Sequence, residues 1–296
     1  DFDMAIITRT PAEILRHLRK TDSPTILVEG VEDTMACRWL LEHFHESNAQ
    51  VDIGGKNIIS CTGKDNLMKV VKKVVEEPHL YPFARLFVRD KDMFVFFEHL
   101  KPKYSLLCYT YGYSIENDLL IDAESDFENL LLLCLTRQTV KEQLLGEYLL
   151  WYAFRVNDLL SKVATLDDET EQRKIIEQGL DNLGINLQDS RQFLREQLQF
   201  TPDFLKQERF IPPPKDLLIN LQNNHLQLLR GHNLIDICHF RIAEARKRGE
   251  MKWQKSHVEI KLHLLTHAIR KKGHIQSLQN KMINALSSSP PPPTSH

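Results

Sequence analysis

Between residues 25 and 110, short aliphatic runs alternate with stretches of helical periodicity, and this alternation narrows the possible folds more than any other feature. The runs TILV at Thr25 to Val28, NIISC at Asn57 to Cys61, RLFV at Arg85 to Val88 and SLLCYT at Ser105 to Thr110 read as strands, rich in the β-branched and aliphatic residues that strands buried on both faces favour. Pro11 to Lys20, Val31 to His45 and Leu67 to Val75 carry apolar residues at helical spacing. Strands alternating with helices imply βαβ crossovers and a mainly parallel sheet. Ligands of such sheets gather at the carboxyl ends of the strands. Glu29, Asp90 and Asp92 all fall at those ends.

After about residue 124 the strand signals stop. Glu128 to Leu135, Lys141 to Val163, Glu169 to Leu183, Ser190 to Leu198, Lys215 to Leu229, Leu234 to Lys247, Val258 to Arg270 and Ile275 to Ala285 read as helices. Pro212, Pro213 and Pro214 break this half in two. The expected fold is therefore α/β, with a mainly parallel sheet flanked by helices and then an all-helical C-terminal region. The expected domains are residues 1–124, a helical domain over 125–286 with a basic C-terminal part, and a disordered tail over 287–296.

Composition enters through its unevenness. The formal net charge is −2, yet residues Arg241 to Lys281 hold eleven Lys/Arg against three acids, leaving 27 basic and 37 acidic residues elsewhere. Such an asymmetry suggests one surface made for polyanions beside a carboxylate-rich region. Five scattered cysteines without a CxxC spacing argue for reduced thiols and against a structural zinc site. No apolar run approaches the ~20 residues a bilayer span needs, so no membrane association is expected and the expected location is cytoplasmic.

The acids that belong together are Glu29, Asp33, Asp90, Asp92 and Glu116. Asp33 stands about one helical turn beyond Glu29, close enough to fold back over the strand end. Asp90 and Asp92 point the same way if the chain stays extended between them. Glu116 opens the segment after the fourth strand. Hard divalent cations take carboxylate oxygens and keep several waters, and Mg²⁺ commonly binds one or two carboxylates plus substrate phosphate. Two such ions ~3.5–4 Å apart clamp the attacking and leaving oxygens of a phosphodiester. Each acid also has a plainer reading: Asp33 as a helix-terminal charge, the Asp-x-Asp as a solvated loop, Glu116 as a partner for lysine. A side chain at Gly30 would crowd a metal or phosphate.

These motifs resemble the Toprim domain, the Rossmann-like catalytic fold shared by topoisomerases, primases and OLD-family nucleases. LVEGVEDTMACRWLLE is similar to its glutamate motif and FVRDKD to its paired-aspartate motif, and the resemblance covers about the first 110 residues. CTGKDNL and YGYSIENDLL resemble the Toprim proteins associated with ABC-class ATPases, including the effector subunits of PARIS phage-defence systems. Asp118 departs from that pattern, which has an aromatic there. The resemblance implies that Glu29, Asp33, Asp90, Asp92 and Glu116 bind one or two Mg²⁺ or Mn²⁺ ions or move protons. It implies that Lys64 offsets charge on the phosphoryl group.

The resulting expectation is a metal-dependent endonuclease, the toxic effector of an anti-phage complex, held inactive by an ABC-class ATPase and active as a homodimer. Its expected substrate is structured RNA such as tRNA. DNA is the alternative within the same chemistry, and a non-catalytic adaptor for nucleic acid or ATPase is the alternative outside it. Arg241, Arg246, Lys247, Arg248, Lys252, Lys255, Arg270, Lys271 and Lys272 are the expected phosphate contacts, with Trp253 among them either stacking on a base or lying in the core. His263 and His267 share a helical face without the glutamate of a zinc protease, and His225, His232 and His239 read as a polar helix face. Tyr109, Tyr111 and Tyr113 lack the rest of a topoisomerase. The absence of GxxxxGK[ST] leaves ATP hydrolysis to a partner.

Overall fold

The structure, a computed structural model, describes residues 9–42, 58–133, 138–179, 213–247, 249 and 256–287. The chain forms two compact units that interleave along the sequence: Asp1–Asp90 with Pro102–Thr110 and Lys272–His296, and Lys91–Lys101 with Tyr111–Lys271.

The first unit is α/β. Strands β1 (Thr25–Val28), β2 (Ile58–Ser60), β3 (Ala84–Arg89) and β4 (Leu107–Tyr109) form one parallel sheet in the order β2-β1-β3-β4. Helix α1 (Pro11–Lys20) starts at a capping box, in which Thr10 Oγ1 accepts from Glu13 N at 3.3 Å and Glu13 Oε2 accepts from Thr10 N at 2.8 Å. Helix α3 (Lys64–Glu76) buries Leu67, Val70, Val71 and Val74, the spacing of one helical face. That face joins Ile14 and Leu18 of α1 and Leu27 and Phe87 of the sheet in a single cluster. Each such side chain contributes ~1.5–3 kcal/mol on burial.

Ile26 and Val28, which strand alternation turns away from Leu27, are also fully buried. Helix α2 (Val31–Glu42) and the last helix described below, His274–Ser287, pack against β1. That last helix also bonds α2, with Gln279 Nε2 donating to Leu40 O at 2.5 Å. Although it is last in the chain, it belongs to the sheet unit.

The second unit is helical. Short 3-10 turns at Asp92–Phe96 and Glu98–Leu100 precede α4 (Ile115–Asp122), α5 (Glu124–Leu133), α6 (Gln138–Ala164) and α7 (Glu169–Gln178). Then follow α8 (Lys215–Asn223), α9 (His225–Leu228), α10 (Gly231–Lys247) and α11 (His257–Ala268), with α12 (His274–Ser287) returning to the sheet. Helix α4 packs against α9, α10 and α11. Tyr152 of α6 donates to Leu228 O at 2.8 Å, joining the longest helix to the same centre.

Besides shifted ends, such as the helix expected over Glu169 to Leu183 that stops at Gln178, the elements depart from expectation in three places. Ile115–Asp122 carries no helical signal in the sequence: nearly all of its residues are buried, Glu116, Asn117 and Asp118 included, so no polar face gives it a period. Helix α3 begins at Lys64, three residues before the helical stretch expected from Leu67. The single helix expected over Lys215 to Leu229 is two, because Asn224 leaves helical geometry at φ −119° and ψ 31°. The helix expected at Ser190 to Leu198, Pro212, the residues expected to be a tail from 288 on, and Cys134 lie outside the described residues. Among the described residues no helix is long and apolar enough to cross a membrane.

Candidate active site

The sheet order makes its own crevice. From β1 the chain crosses to β2 on one side, then passes back beyond β1 to β3, so the topological switch point lies between β1 and β3. Ligands of open α/β sheets bind there, outside the carboxyl ends of the strands. Val28 pairs in register with Val88, so Glu29 follows one residue beyond that pair and Asp90 two. These two carboxylates stand at the switch point by register alone.

Local bonds hold this edge in place. Cys61 N–H donates to Val28 O at 2.9 Å and Gly63 N–H to Glu29 O at 2.8 Å, tying the end of β1 to the start of α3. Thr62 and Gly63 take left-handed φ values of 58° and 115°, the turn that lets α3 begin at Lys64. Lys64 thus opens the helix immediately after Glu29's backbone partner and is half-buried.

Asp33 folds back as expected, but onto backbone. Its Oδ2 accepts from Gly30 N at 2.7 Å, the N3 acid closing on the residue before its own helix. A Cβ at Gly30 would first meet that same Oδ2, at 3.2 Å. The glycine therefore leaves room for the Asp33 carboxylate.

Two buried thiols report the charge gathered here. Burial, then the charges of Asp33, Asp90 and Cys108, push Cys37 far above the ordinary thiol range. Burial and the Glu29 carboxylate push Cys61 up to about 12. Oε2 of Glu29 is itself shielded from solvent. The three carboxylates do not converge, however: Glu29, Asp33 and Asp90 do not bring three ligand oxygens within 4.8 Å of one another. Like charges repel, and Asp33 is drawn to Gly30. This donor set is all hard oxygen without thiolate or imidazole, so it fits Mg²⁺ or Mn²⁺ held by a pair of carboxylates and water, and does not fit a soft metal. Arg89, missed in the sequence, is almost wholly buried directly before Asp90, its guanidinium 5.8 Å from the Tyr109 ring centroid.

In the helical unit Asp92 does not continue β3. Lys91 is helical at φ −72° and ψ −27°, and Asp92 is left-handed at φ 50°. The chain is not extended across the Asp-x-Asp, so the expectation that both acids point alike from one strand is corrected. The turn is fixed by Asp92 N–H donating to Tyr113 O at 2.7 Å.

Glu116 is the second residue of α4 and is 7% exposed. Lys261 Nζ of α11 donates to its Oε1 and Ser114 Oγ to its Oε2, both at 2.7 Å. His232 Nδ1 lies 4.0 Å from Oε1, an ion-pair separation longer than a hydrogen bond. Burial alone would raise the Glu116 pKa; His232, Lys261 and Ser114 together hold it well below the carboxylate range. The same carboxylate raises His232, against the opposing effect of burial.

Next to it, Asn117 is fully buried and bonded on both sides. Its Nδ2 donates to Leu226 O at 2.6 Å and Leu229 O at 2.7 Å, while Oδ1 accepts from Ser114 N and Gly231 N, each at 3.0 Å. Asp118 accepts from Tyr111 N at 3.0 Å and Gly112 N at 2.7 Å, one on each carboxylate oxygen, a paired acceptance that no aromatic side chain offers. Lys261 and Gly231 carry no sequence signal; each is a long-range partner of a motif residue.

The histidines are placed differently from a polar face. His257 Nε2 lies 2.6 Å from Asp236 Oδ1, and its ring centroid is 4.0 Å from that of His239. His267 pairs with Asp126 at 3.1 Å, and His225 Nδ1 lies 3.1 Å from Gln222 O. Of the basic positions, Arg246 and Lys247 are exposed at the end of α10 and Arg270, Lys271 and Lys272 are exposed after α11. They stand before and after α11 rather than on its face. Arg241 is within α10, while Arg248, Lys252, Trp253 and Lys255 lie outside the described residues. No family model matches the chain, and the searches of curated proteins and of solved structures found no match either.

Proposed function

We propose that this protein is a divalent-metal-dependent endonuclease of the Toprim type, hydrolysing phosphodiester bonds in nucleic acid. The observation that carries the reading is the placement of Glu29 and Asp90 after paired residues of β1 and β3, at the switch point of a parallel sheet. Glu29 and Asp90 would hold the ion, which when bound supplies an activated water and a Lewis acid for the phosphoryl oxygens. Asp33, tied to Gly30, steadies the turn carrying Glu29 and adds negative charge beside it. Lys64 supplies a cation for charge developing on the phosphoryl oxygens. Asp92 and Glu116 receive metal or water-orienting roles from the sequence resemblance.

The substrate class proposed is structured RNA, tRNA first, with DNA second. The exposed Arg246, Lys247, Arg270, Lys271 and Lys272 support a polyanionic partner through phosphate contacts. From the resemblance come the remaining elements: an anti-phage effector, restrained by an ABC-class ATPase, active as a homodimer in the cytoplasm. A non-catalytic adaptor is a second reading with its own support, because Asp33 and Glu116 already have partners, Gly30 N and Lys261.

Incubating wild type and Glu29→Ala with tRNA and with plasmid DNA, under Mg²⁺, Mn²⁺ and EDTA, tests the proposal. Metal-dependent cutting by wild type alone supports it, and the substrate that is cut decides between RNA and DNA. Equal cutting by Glu29→Ala sinks the site. Binding without cutting, by both proteins and in either metal, favours the adaptor.

A further inference from the structure

We infer that Lys91, the residue between Asp90 and Asp92, is a positioning residue that sets the direction of the Asp92 carboxylate; this rests on the proposed metal role of Asp92. Buried lysines need partners for their charge. The Lys91 side chain is 8% exposed, and its ammonium pairs with Glu98 Oε1 at 2.6 Å. It also donates to Tyr111 O at 2.7 Å. The ring of Tyr111 has its centroid 5.5 Å from the same nitrogen. Glu98 is held in turn by Lys101 at 2.6 Å on its other oxygen.

This clamp acts on Asp92 through a shared segment. Tyr111 O receives Lys91, and Tyr113 O receives the Asp92 N–H at 2.7 Å. The N–H groups of Tyr111 and Gly112 are both taken by Asp118. Tyr113 N–H donates to Gln227 O at 3.0 Å. Gly112 completes the fit, since a Cβ there would come within 2.5 Å of Asn117 Cβ. The segment 111–113 is therefore fastened along one edge to α4 and α9, and along the other it grips residues 91 and 92.

Asp92 needs that grip. Its φ of 50° lies in the left-handed region, which non-glycine residues occupy at a cost, aspartate less than most. With Lys91 anchored at Tyr111 and the Asp92 amide anchored at Tyr113, the chain entering Asp92 is held at two points. A neutral or shorter side chain at 91 releases one anchor and lets Asp92 relax toward right-handed geometry, swinging its carboxylate away.

The test measures Mn²⁺ affinity by electron paramagnetic resonance alongside amide hydrogen exchange and thermal stability, using the full chain. Lys91→Met is expected to weaken Mn²⁺ binding about tenfold, the scale of outer-shell effects on metal sites, and to speed exchange at the Asp92 amide. Lys91→Arg, which keeps a donor and a charge, recovers most of both. Lys91→Met combined with Asp92→Asn binds no more weakly than Asp92→Asn alone. Glu98→Gln, which leaves the bond to Tyr111 O, controls for lost stability. Folded Lys91→Met with wild-type Mn²⁺ affinity, or effects of the two substitutions that add, overturns the inference. Glu29→Ala in the same titration reads the proposed metal centre separately. If Glu29→Ala weakens binding while Lys91→Met does not, the centre stands and the positioning role falls. If wild type binds no Mn²⁺, both fall.

Discussion

Asn117 and Gly231 lie 114 residues apart in sequence, and the Gly231 N–H donates to Asn117 Oδ1 at 3.0 Å deep inside the helical unit. A Cβ at Gly231 would sit 2.5 Å from that same Oδ1 and 2.9 Å from the Cβ of Glu116. The first residue of α10 is therefore selected for its lack of a side chain, and α4 supplies the reason. Asn117 closes the arrangement by donating to the carbonyls of Leu226 and Leu229 on the other side.

Gly231→Ala should cost about 1–3 kcal/mol, the range for forcing extra volume into a packed site. Asn117→Ala should cost about as much, by leaving buried backbone groups unsatisfied. Because the two share one contact, their effects should combine to less than their sum. Urea unfolding of the two single variants and the double variant checks this, and strict additivity would contradict the shared contact.

Lys261→Met strips the buried Glu116 carboxylate of its closest cation. Removing one partner of such a pair typically costs ~3–5 kcal/mol, whereas replacing both is far milder. We expect Lys261→Met to be the less stable protein and Lys261→Met with Glu116→Gln to regain much of the loss. Thermal melts at neutral pH decide the order.

The Glu116 and His232 shifts have opposite pH signatures. Glu116 is lowered in the folded state, so its contribution is complete above its ordinary value of 4.5 and disappears as pH falls through the lowered one. His232 is raised, so its contribution is complete below 6.5 and disappears as pH rises through the raised value. His232→Gln should therefore be less stable than wild type at about pH 5.5 and match it in alkaline buffer. Denaturation midpoints across pH would reveal a constant gap if the ring had no charge-dependent role.

Cys37 and Cys61, buried and raised by burial first and neighbouring carboxylates second, should resist maleimide in the native protein and react once urea exposes them. Mass spectrometry of the labelled peptides resolves each thiol. Labelling of Cys37 or Cys61 at the rate of a free thiol would mean that the sheet edge opens readily.

What the sequence discloses follows from the range of each interaction. TILV and the helix from Pro11 to Lys20 carry their signals within a few residues, and both form over the stretches expected. The parallel sheet follows from alternation, because a crossover needs a helix between paired strands. Glu29 and Asp90 are legible as strand-end acids. Asp92 is not, since its left-handed turn depends on Tyr111 and Tyr113 some twenty residues later. Glu116 reads as an acid in the segment after the fourth strand, but its partner Lys261 is 145 residues away, beyond any local pattern. Asp118, the departure from the resembled motif, turns out to be a hydrogen-bond acceptor for the backbone of 111 and 112.

The return of α12 to the sheet bears on how the chain is made. Some 160 residues separate Thr110, the last sheet-unit residue before the helical unit, from Lys272, where the chain comes back. At ~5–20 residues per second, a ribosome needs about 10–30 s to cover that distance. Throughout that interval β1 and β3 are complete but lack Leu278, Met282 and the other apolar residues of their final covering helix. The nascent sheet must wait, with apolar surface open to chaperones or to a neighbouring chain, until the residues from His274 to Ser287 have been made.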